Sequence, residues 1–160
     1  MSYPFARSGR VAYLTRARPL RWRRHTQMGH DAPVDERLDA VHQLWSTYRE
    51  HGAEPAILLL DPEVEFVAHD GRVYRGRDGV RRFFAEFEER GERFMASPYT
   101  FEPHDPDLLV IGHRRIASDD GLRGDYLFFV HSFRDGRVAR IAAYTNKAEA
   151  LADITARGGT

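Results

Sequence analysis

Cysteine is absent from the 160 residues, which excludes disulfide bonds, thiolate metal sites and cysteine nucleophiles. Long apolar runs are absent as well: the longest, Ala56 to Leu60, has five residues, whereas a membrane-spanning helix needs about 20. The N-terminus lacks both the apolar core and the small-residue cleavage site of a secretory signal. We therefore expect a soluble protein, with no membrane partner and with the cytoplasm as its default location.

Lysine is nearly absent, with one residue against 23 arginines, and the positive charges are unevenly distributed. Residues 1–30 hold seven arginines and no acidic residue, whereas the remainder has 17 basic and 24 acidic residues. The acidic remainder therefore has no charge pattern for nucleic acid. For the basic arm, residues 1–30, three interpretations stay open: a disordered tail, an extension upstream of a start at Met28, or a segment that binds phosphate or anionic lipid.

Apolar periodicity predicts a single α+β domain over residues 31–156. The first helix has an apolar stripe at the spacing of one helical face, formed by Leu38, Val41, Leu44, Trp45 and Tyr48. The second helix is short and has three consecutive leucines, 58–60, to bury. The predicted order is helix 32–51, helix 54–60, strand 64–67, strand 72–75, helix 76–90, strand 94–101, three further strands and helix 147–156.

The last third of the chain, residues 107–151, predicts three consecutive strands followed by a helix. β-Branched and aromatic residues fill the segments 108–111, 126–130 and 138–144. The two breaks between them, 118–121 and 134–136, both contain Asp-Gly, a dipeptide that readily adopts the positive φ angles of hairpin turns. The sequence thus predicts a mostly antiparallel sheet.

Three phrases in this order resemble the SnoaL-like branch of the nuclear transport factor 2-like superfamily. They are Asp61-Pro62-Glu63-Val64-Glu65-Phe66, Tyr74 to Phe84, and Phe133-Arg134-Asp135-Gly136-Arg137-Val138. The resemblance implies a cystatin-like, conical curved sheet wrapped around a long N-terminal helix. It also implies a pocket for a small apolar or polycyclic molecule, and a homodimer. Members include enzymes, binding proteins and interaction modules, so the fold leaves the activity open.

Ketosteroid isomerases of this superfamily use a carboxylate base on the first strand and an oxyanion hole formed by a tyrosine and a protonated carboxylic acid. The resemblance places Phe66 at the base, Phe129 at the acid, and Trp45 at or near the tyrosine. Glu65 does not replace the base, because alternate strand residues point to opposite faces. Isomerase chemistry of that kind is therefore not expected.

Few polar residues are predicted to face the pocket. His131 shares one strand face with Phe129 and Phe133, and an imidazole titrates near neutral pH, so His131 is the candidate general acid or base. The alternative is a packing histidine or a ligand hydrogen-bond partner. Tyr48, one turn beyond Trp45, is a candidate to reach the ligand with its hydroxyl, although a core position on the helix explains it equally well.

Arg114 and Asp125 are predicted to face each other across the hairpin that turns at residues 118–121. Limonene epoxide hydrolases, which have a related fold, hold an arginine between two aspartates to activate water. Only one aspartate accompanies the arginine here, and a cross-strand ion pair is the commoner meaning of such a pair. The alternative is that Arg114 and Asp125 bind the ligand, on the same side of the sheet as His131. His69 and Asp70, at the end of the first strand, are candidates for the pocket rim or for a solvated turn.

Apart from His25 and His30 in the basic arm, which are five residues apart, the dispersed histidines do not have the spacing of a metal site, and metal binding is not expected. There is also no glycine-rich phosphate loop. No cofactor is expected. Two functional hypotheses follow from the sequence. The first is a small-molecule-binding protein with a mostly apolar pocket lined by Trp45, Phe66, Phe129 and His131, which is a cofactor-free cyclase, isomerase, dehydratase or hydrolase if it is an enzyme. The second is a non-catalytic ligand-binding or dimeric interaction module.

Overall fold

The structure is a computed structural model that describes residues 32–159. The basic arm therefore lies outside the described residues. Four helices and six strands form the described part of the chain. In order they are α1 Ala32–His51, α2 Ala53–Leu59, β1 Glu65–Val67, β2 Val73–Arg75, α3 Gly76–Glu89, β3 Arg93–His104, β4 Asp107–Ser118, β5 Gly121–Arg134, β6 Arg137–Tyr144 and α4 Lys147–Gly158.

The six strands form one sheet in the order β2-β1-β6-β5-β4-β3. All neighbouring pairs are antiparallel except β1 and β6, which are parallel. β-Bulges interrupt the register between Pro98 and Thr100 and between Ser132 and Phe133, and bulges bend a strand. The predicted α+β class with a mostly antiparallel sheet is confirmed.

Helix α1 packs on one face of the sheet, which we call the inner face. Its predicted stripe is confirmed, because Val41, Leu44 and Trp45 are buried, with Leu38 and Tyr48 partly buried beside them. Inner-face residues of β4, β5 and β6 complete this core, among them Leu108, Val110, Leu127, Phe129 and Ile141. Burial of these apolar side chains is the main stabilising contribution to the domain.

Helix α4 covers part of the opposite face, which we call the outer face. Its Ala150 is fully buried together with Leu109 of β4 and Val130 of β5. Ion pairs hold the helix in place: Arg140 of β6 contacts Asp153 at 2.9 Å, and Arg157 contacts Asp107 at 2.9 Å. Helices therefore lie on both faces of the sheet, and the outer face is only partly covered.

The two predicted hairpin turns are present. Arg134 pairs with Arg137 across a two-residue turn, in which Asp135 has φ 50° and Gly136 has φ 74°. Positive φ at both central residues is the backbone requirement of a type I′ turn. Ser118 pairs with Gly121 across the other turn.

The leucines of α2 depart from the sequence prediction. Leu58 is 55% exposed, whereas Ala56, Ile57 and Leu60 are buried. Successive helical residues are separated by about 100°, so three consecutive leucines do not share one face.

The strands extend beyond their predicted apolar segments, because β4 and β5 remain paired through polar residues up to the turn. In the part of the chain that the structure describes, no helix is long and apolar enough to cross a membrane.

Candidate ligand pocket

A cavity of about 80 Å³ lies between helices α1, α2 and α3 and the inner face of the sheet. The side chains around it are predominantly aliphatic and aromatic. They are Leu44, Trp45, Tyr48, Ala53, Ala56, Ile57, Leu60, Phe66, Val80, Phe83, Phe84, Phe94, Ala96, Phe129 and Ile141. Such a cavity favours an apolar occupant, because a polar group placed there loses its hydrogen bonds to water.

Two lining side chains have polar atoms, and both are already hydrogen-bonded within the protein. Trp45 Nε1 donates to His131 Nε2 at 3.2 Å. Tyr48 Oη donates to the backbone carbonyl of Phe94 at 3.3 Å. Burial raises the pKa of Tyr48 to about 12, so its hydroxyl is protonated at neutral pH. The cavity wall therefore presents hydrocarbon to a ligand.

His131 is fully buried and makes contacts through both ring nitrogens. Because the Trp45 indole only donates, His131 Nε2 accepts, and the ring proton of the neutral imidazole is then on Nδ1. Nδ1 lies 3.3 Å from the carbonyl oxygen of Phe129, to which it donates. Burial lowers the pKa of His131 to about 4. This geometry is that of the packing histidine, the alternative that the sequence left open, and catalysis by His131 stays a prediction.

Arg114 and Asp125 face each other in the β4–β5 register, as the sequence predicts. The pair is bidentate, with Nε to Oδ1 at 2.8 Å and Nη2 to Oδ2 at 2.6 Å. Arg114 also contacts the imidazole of His69, which follows β1. Burial and the Arg114 charge lower the pKa of His69, so its ring is neutral at pH 7. No cluster of three His, Cys, Asp or Glu residues with metal-site geometry occurs among residues 32–159.

A scan against protein-family models finds no match, and a search of curated proteins finds none either. Solved structures do match. TerC, co-crystallised with polyporic acid, is 20% identical with a TM-score of 0.59, over 75% of this chain and 98% of TerC. A ketosteroid isomerase from a Mycobacterium species is 14% identical with a TM-score of 0.57, over 71% and 95% of the two chains.

A third match is a Mycobacterium tuberculosis protein in complex with estradiol-17β-hemisuccinate. It is 18% identical with a TM-score of 0.57, over 71% of this chain and 95% of that protein. A nuclear transport factor 2-like protein from Burkholderia pseudomallei and a SnoaL-like polyketide cyclase from a Jannaschia species also match. The chain has the nuclear transport factor 2-like fold. At these identities the similarity shows the fold alone.

The three positions inferred from the ketosteroid isomerase register lie together in this nuclear transport factor 2-like fold. Trp45, Phe66 and Phe129 all line the cavity, and the Trp45 and Phe129 ring centroids are 5.2 Å apart. Glu65 is directed away from it, since its carboxylate pairs with Arg75 at 2.8 Å and lies 3.5 Å from Arg140. The carboxylate base of the isomerases therefore has no counterpart at this position.

Several residues that line the cavity were not predicted from the sequence. Phe83 and Phe84 fall within the predicted helix 76–90, and Phe94 begins the predicted strand 94–101, but none of the three was predicted to line a cavity. Their spacing indicated burial, and a residue that borders an empty space has the same sequence pattern as one that is fully packed. Arg114 was expected near Asp125, whereas its contact with His69 joins residues distant in sequence.

Proposed function

We propose that this protein binds a small apolar molecule in the cavity between α1 and the sheet, and that it does so without chemistry at His131. One observation supports this above the others: the polar groups of the cavity wall, Trp45 Nε1 and Tyr48 Oη, are both engaged within the protein. The fold is consistent with it, since TerC with polyporic acid and the M. tuberculosis protein with estradiol-17β-hemisuccinate share that fold.

The cavity has to enlarge for most ligands. Pockets for drug-sized molecules have about 300–1,000 Å³, and an engineered apolar cavity of about 150 Å³ holds benzene. At about 80 Å³ the cavity is smaller than both. It adjoins an open groove of about 500 Å³, and both are bordered by Tyr48, Phe84 and Phe94. We propose that rotation of the Phe84 and Phe94 side chains provides space and access at the same time, while Tyr48 keeps its hydrogen bond to the Phe94 carbonyl.

An enzymatic role through His131 is the weaker alternative. A general acid or base at neutral pH needs a pKa near 7 and a proton path to the substrate. The pKa of His131 is about 4, and its Nε2 accepts from Trp45, which stands in the cavity wall. Proton transfer to a ligand would first require the loss of that buried hydrogen bond. Cyclase, isomerase, dehydratase or hydrolase chemistry is therefore less well supported than binding.

The substitution Ala96→Leu tests the proposal by filling the cavity. Ala96 lines the cavity and is 5% exposed, so the three added carbons occupy the space that a ligand needs. We expect benzene and naphthalene to raise the melting temperature of the wild-type protein. Their affinities, measured by isothermal titration calorimetry, should fall at least about tenfold in Ala96→Leu, a loss of about 1.4 kcal/mol.

Ala152→Leu, on an exposed position of α4, adds the same carbons and is the matched control. It should bind the probes as the wild-type protein does. If Ala96→Leu binds the probes as tightly as the wild-type protein does, the ligand does not occupy this cavity. The proposal fails if no apolar probe in this size range binds to the wild-type protein.

A second candidate function is that of a dimeric interaction module, which is favoured by apolar side chains on the outer face. Tyr99, Leu122 and Tyr126, which we call the outer patch, are 62%, 64% and 57% exposed. The ring centroids of Tyr99 and Tyr126 are 5.9 Å apart, and the His113 ring contacts Tyr126 edge-to-face with a centroid distance of 5.3 Å. Aromatic residues gathered at the surface are typical of interfaces. We propose that two copies of the chain associate through this patch, a role compatible with ligand binding.

A further inference from the structure

A second, smaller cavity of about 30 Å³ lies next to the apolar pocket. The two cavities share four phenylalanines as a common wall, namely Phe66, Phe83, Phe94 and Phe129. A ligand that displaces these rings therefore extends from one cavity into the other. A cavity of this size holds a group as small as a water molecule, which needs about 10–15 Å³.

The second cavity differs from the first because its far side is polar. Arg114 and His69 line it, together with Asp70 and Arg72. The Arg114 side chain is 12% exposed. A guanidinium has five N–H donors, and Asp125 accepts from two of those on Arg114. Donors therefore remain on Arg114 for a ligand that reaches this end.

The guanidinium of Arg114 lies over the face of the His69 imidazole. It therefore does not use the in-plane lone pair of the ring, which is the hydrogen-bond acceptor of His69. Arg114 Nη1 is 3.0 Å from Nδ1 and 3.2 Å from Nε2 of His69. An atom that is almost equally distant from both ring nitrogens lies over the face of the ring. The His69 residue is exposed to solvent on one side. Partial desolvation and the neighbouring Arg114 charge lower the pKa of His69, so the ring is neutral and has one nitrogen that accepts a hydrogen bond.

The cations around the second cavity are already neutralised. Asp125 pairs with Arg114, and Arg72 pairs with both Asp70 and Glu86 at 2.8 Å. A carboxylate placed here would add to an existing surplus of negative charge, and it offers no proton to the acceptor on His69. A neutral hydroxyl fits better, because its oxygen accepts from Arg114 while its own proton is donated to His69.

We propose that the ligand is an apolar ring molecule with one neutral hydroxyl at its end, and that Arg114 and His69 bind this hydroxyl in the second cavity. The inference rests on the proposed function, since the apolar body of the ligand occupies the first cavity. It assigns His69 and Arg114 to the recognition of a hydroxyl, in which Asp125 positions Arg114 through the bidentate ion pair.

A series of three ligands with the same ring system tests this assignment. Naphthalene, 2-naphthol and 2-naphthoate are titrated at neutral pH into the full chain by isothermal titration calorimetry. We expect 2-naphthol to bind about tenfold more tightly than naphthalene, as one hydrogen-bonded hydroxyl allows, and 2-naphthoate to bind no better than naphthalene.

The variant His69→Phe keeps a ring against Arg114 but removes the acceptor. In this variant the ratio of the naphthalene and 2-naphthol dissociation constants should fall from about ten to about one. His113→Phe, on the outer face, is the matched control and should retain the full advantage. Melting temperatures establish that both variants are folded.

The outcomes separate this inference from the proposed function. If naphthalene and 2-naphthol bind equally to the wild-type protein, the hydroxyl site is wrong while apolar binding stands. Tightest binding by 2-naphthoate would show an anion site and would also overturn the inference. If none of the three ligands binds, the proposed function fails and the inference fails with it.

Discussion

Hydrogen bonds to Trp45 and to the backbone allow His131 to be a buried core residue. The indole donates to Nε2 at 3.2 Å and the backbone carbonyl of Phe129 accepts from Nδ1 at 3.3 Å, so the buried imidazole has both nitrogens satisfied in its neutral form. Protonation would place an uncompensated charge in the core and abolish the acceptor of Trp45. The stability of the fold is therefore coupled to the protonation of this residue.

This coupling predicts a pH dependence. The pKa of His131 is about 4 in the folded protein, below its usual value of 6.5, so its contribution is present above pH 6.5 and is lost as the pH falls towards 4. The unfolded chain binds the proton first, which lowers the free energy of unfolding by about 3 kcal/mol between pH 7 and pH 4. Urea unfolding at a series of pH values measures this loss.

His131→Gln is the control for that experiment, since glutamine provides both an acceptor and a donor but does not titrate. Carboxylates titrate in the same range in both proteins, so the difference between the two pH profiles reports on His131. The variant should lose about 3 kcal/mol less than the wild-type protein over this pH range. Parallel profiles would mean that His131 takes up a proton in the folded state without cost.

Residue positions of the candidate site were partly predictable. Strand alternation and the family resemblance placed Phe66 and Phe129 on the inner face, and both line the cavity. The Arg114–Asp125 pair followed from the hairpin register. The contact between His69 and Arg114 did not, because β1 and β4 are not neighbours in the sheet and no local pattern links them.

At the scale of elements, the turn between β5 and β6 depends on the backbone conformation of two residues. Asp135 and Gly136 both have positive φ, at 50° and 74°, in the turn between β5 and β6. This turn, together with the β-bulge between Ser132 and Phe133, fixes the register in which Phe129 pairs with Ala143 and His131 with Ile141. A register shift of one residue would exchange the two faces and empty the pocket of its aromatic side chains.

Gly136→Ala should therefore reduce the free energy of unfolding by about 1–2 kcal/mol, the cost of the left-handed conformation for a residue with a Cβ. No atom lies within 4 Å of the added carbon, so the effect is one of backbone strain and not of collision. Urea unfolding at pH 7 measures it.

Gly158→Ala is the matched control for that measurement. Gly158 is the last residue of α4, and its added carbon also meets no atom within 4 Å. There alanine should stabilise by about 0.5 kcal/mol, because it reduces the backbone entropy of the unfolded chain. Equal effects at both positions would contradict the strain argument.

The bounds of the elements show the limit of local patterns. Helix α1 was predicted over residues 32–51, the bounds that it has in the structure, because a sustained apolar stripe defines it. Strand β5 extends over Gly121–Arg134, whereas its apolar segment covers only 126–130. The remaining residues are held by pairing with β4, a long-range interaction that propensity does not include.

At the scale of the whole molecule, the outer face of the sheet is only partly covered. Helix α4 packs over Leu109 and Val130, while the outer patch of Tyr99, Leu122 and Tyr126 lies exposed. The dimer expected from the family resemblance would cover this patch. Substitutions in this patch should therefore weaken the proposed association of two copies of the chain.

Tyr126→Lys should raise the dissociation constant of the dimer about 30-fold, since a central aromatic side chain contributes about 2 kcal/mol or more to an interface. Sedimentation equilibrium over a concentration series measures this change. Leu58→Lys, which replaces a 55% exposed leucine of α2, is the control and should leave association unchanged. A wild-type protein that is monomeric at all accessible concentrations would refute the dimer.

The sequence by itself determined the α+β class, the order of the helices and strands, both hairpin turns and the inner-face residues. These features depend on local propensity and on periods of 2 and 3.6 residues, which a single chain displays directly. Only the tertiary structure decided that Trp45 donates a hydrogen bond to His131 and that both polar groups of the cavity wall are hydrogen-bonded within the protein. It also decided that His69 contacts Arg114. Those contacts depend on distances between segments far apart in sequence, and such distances are fixed when the core packs.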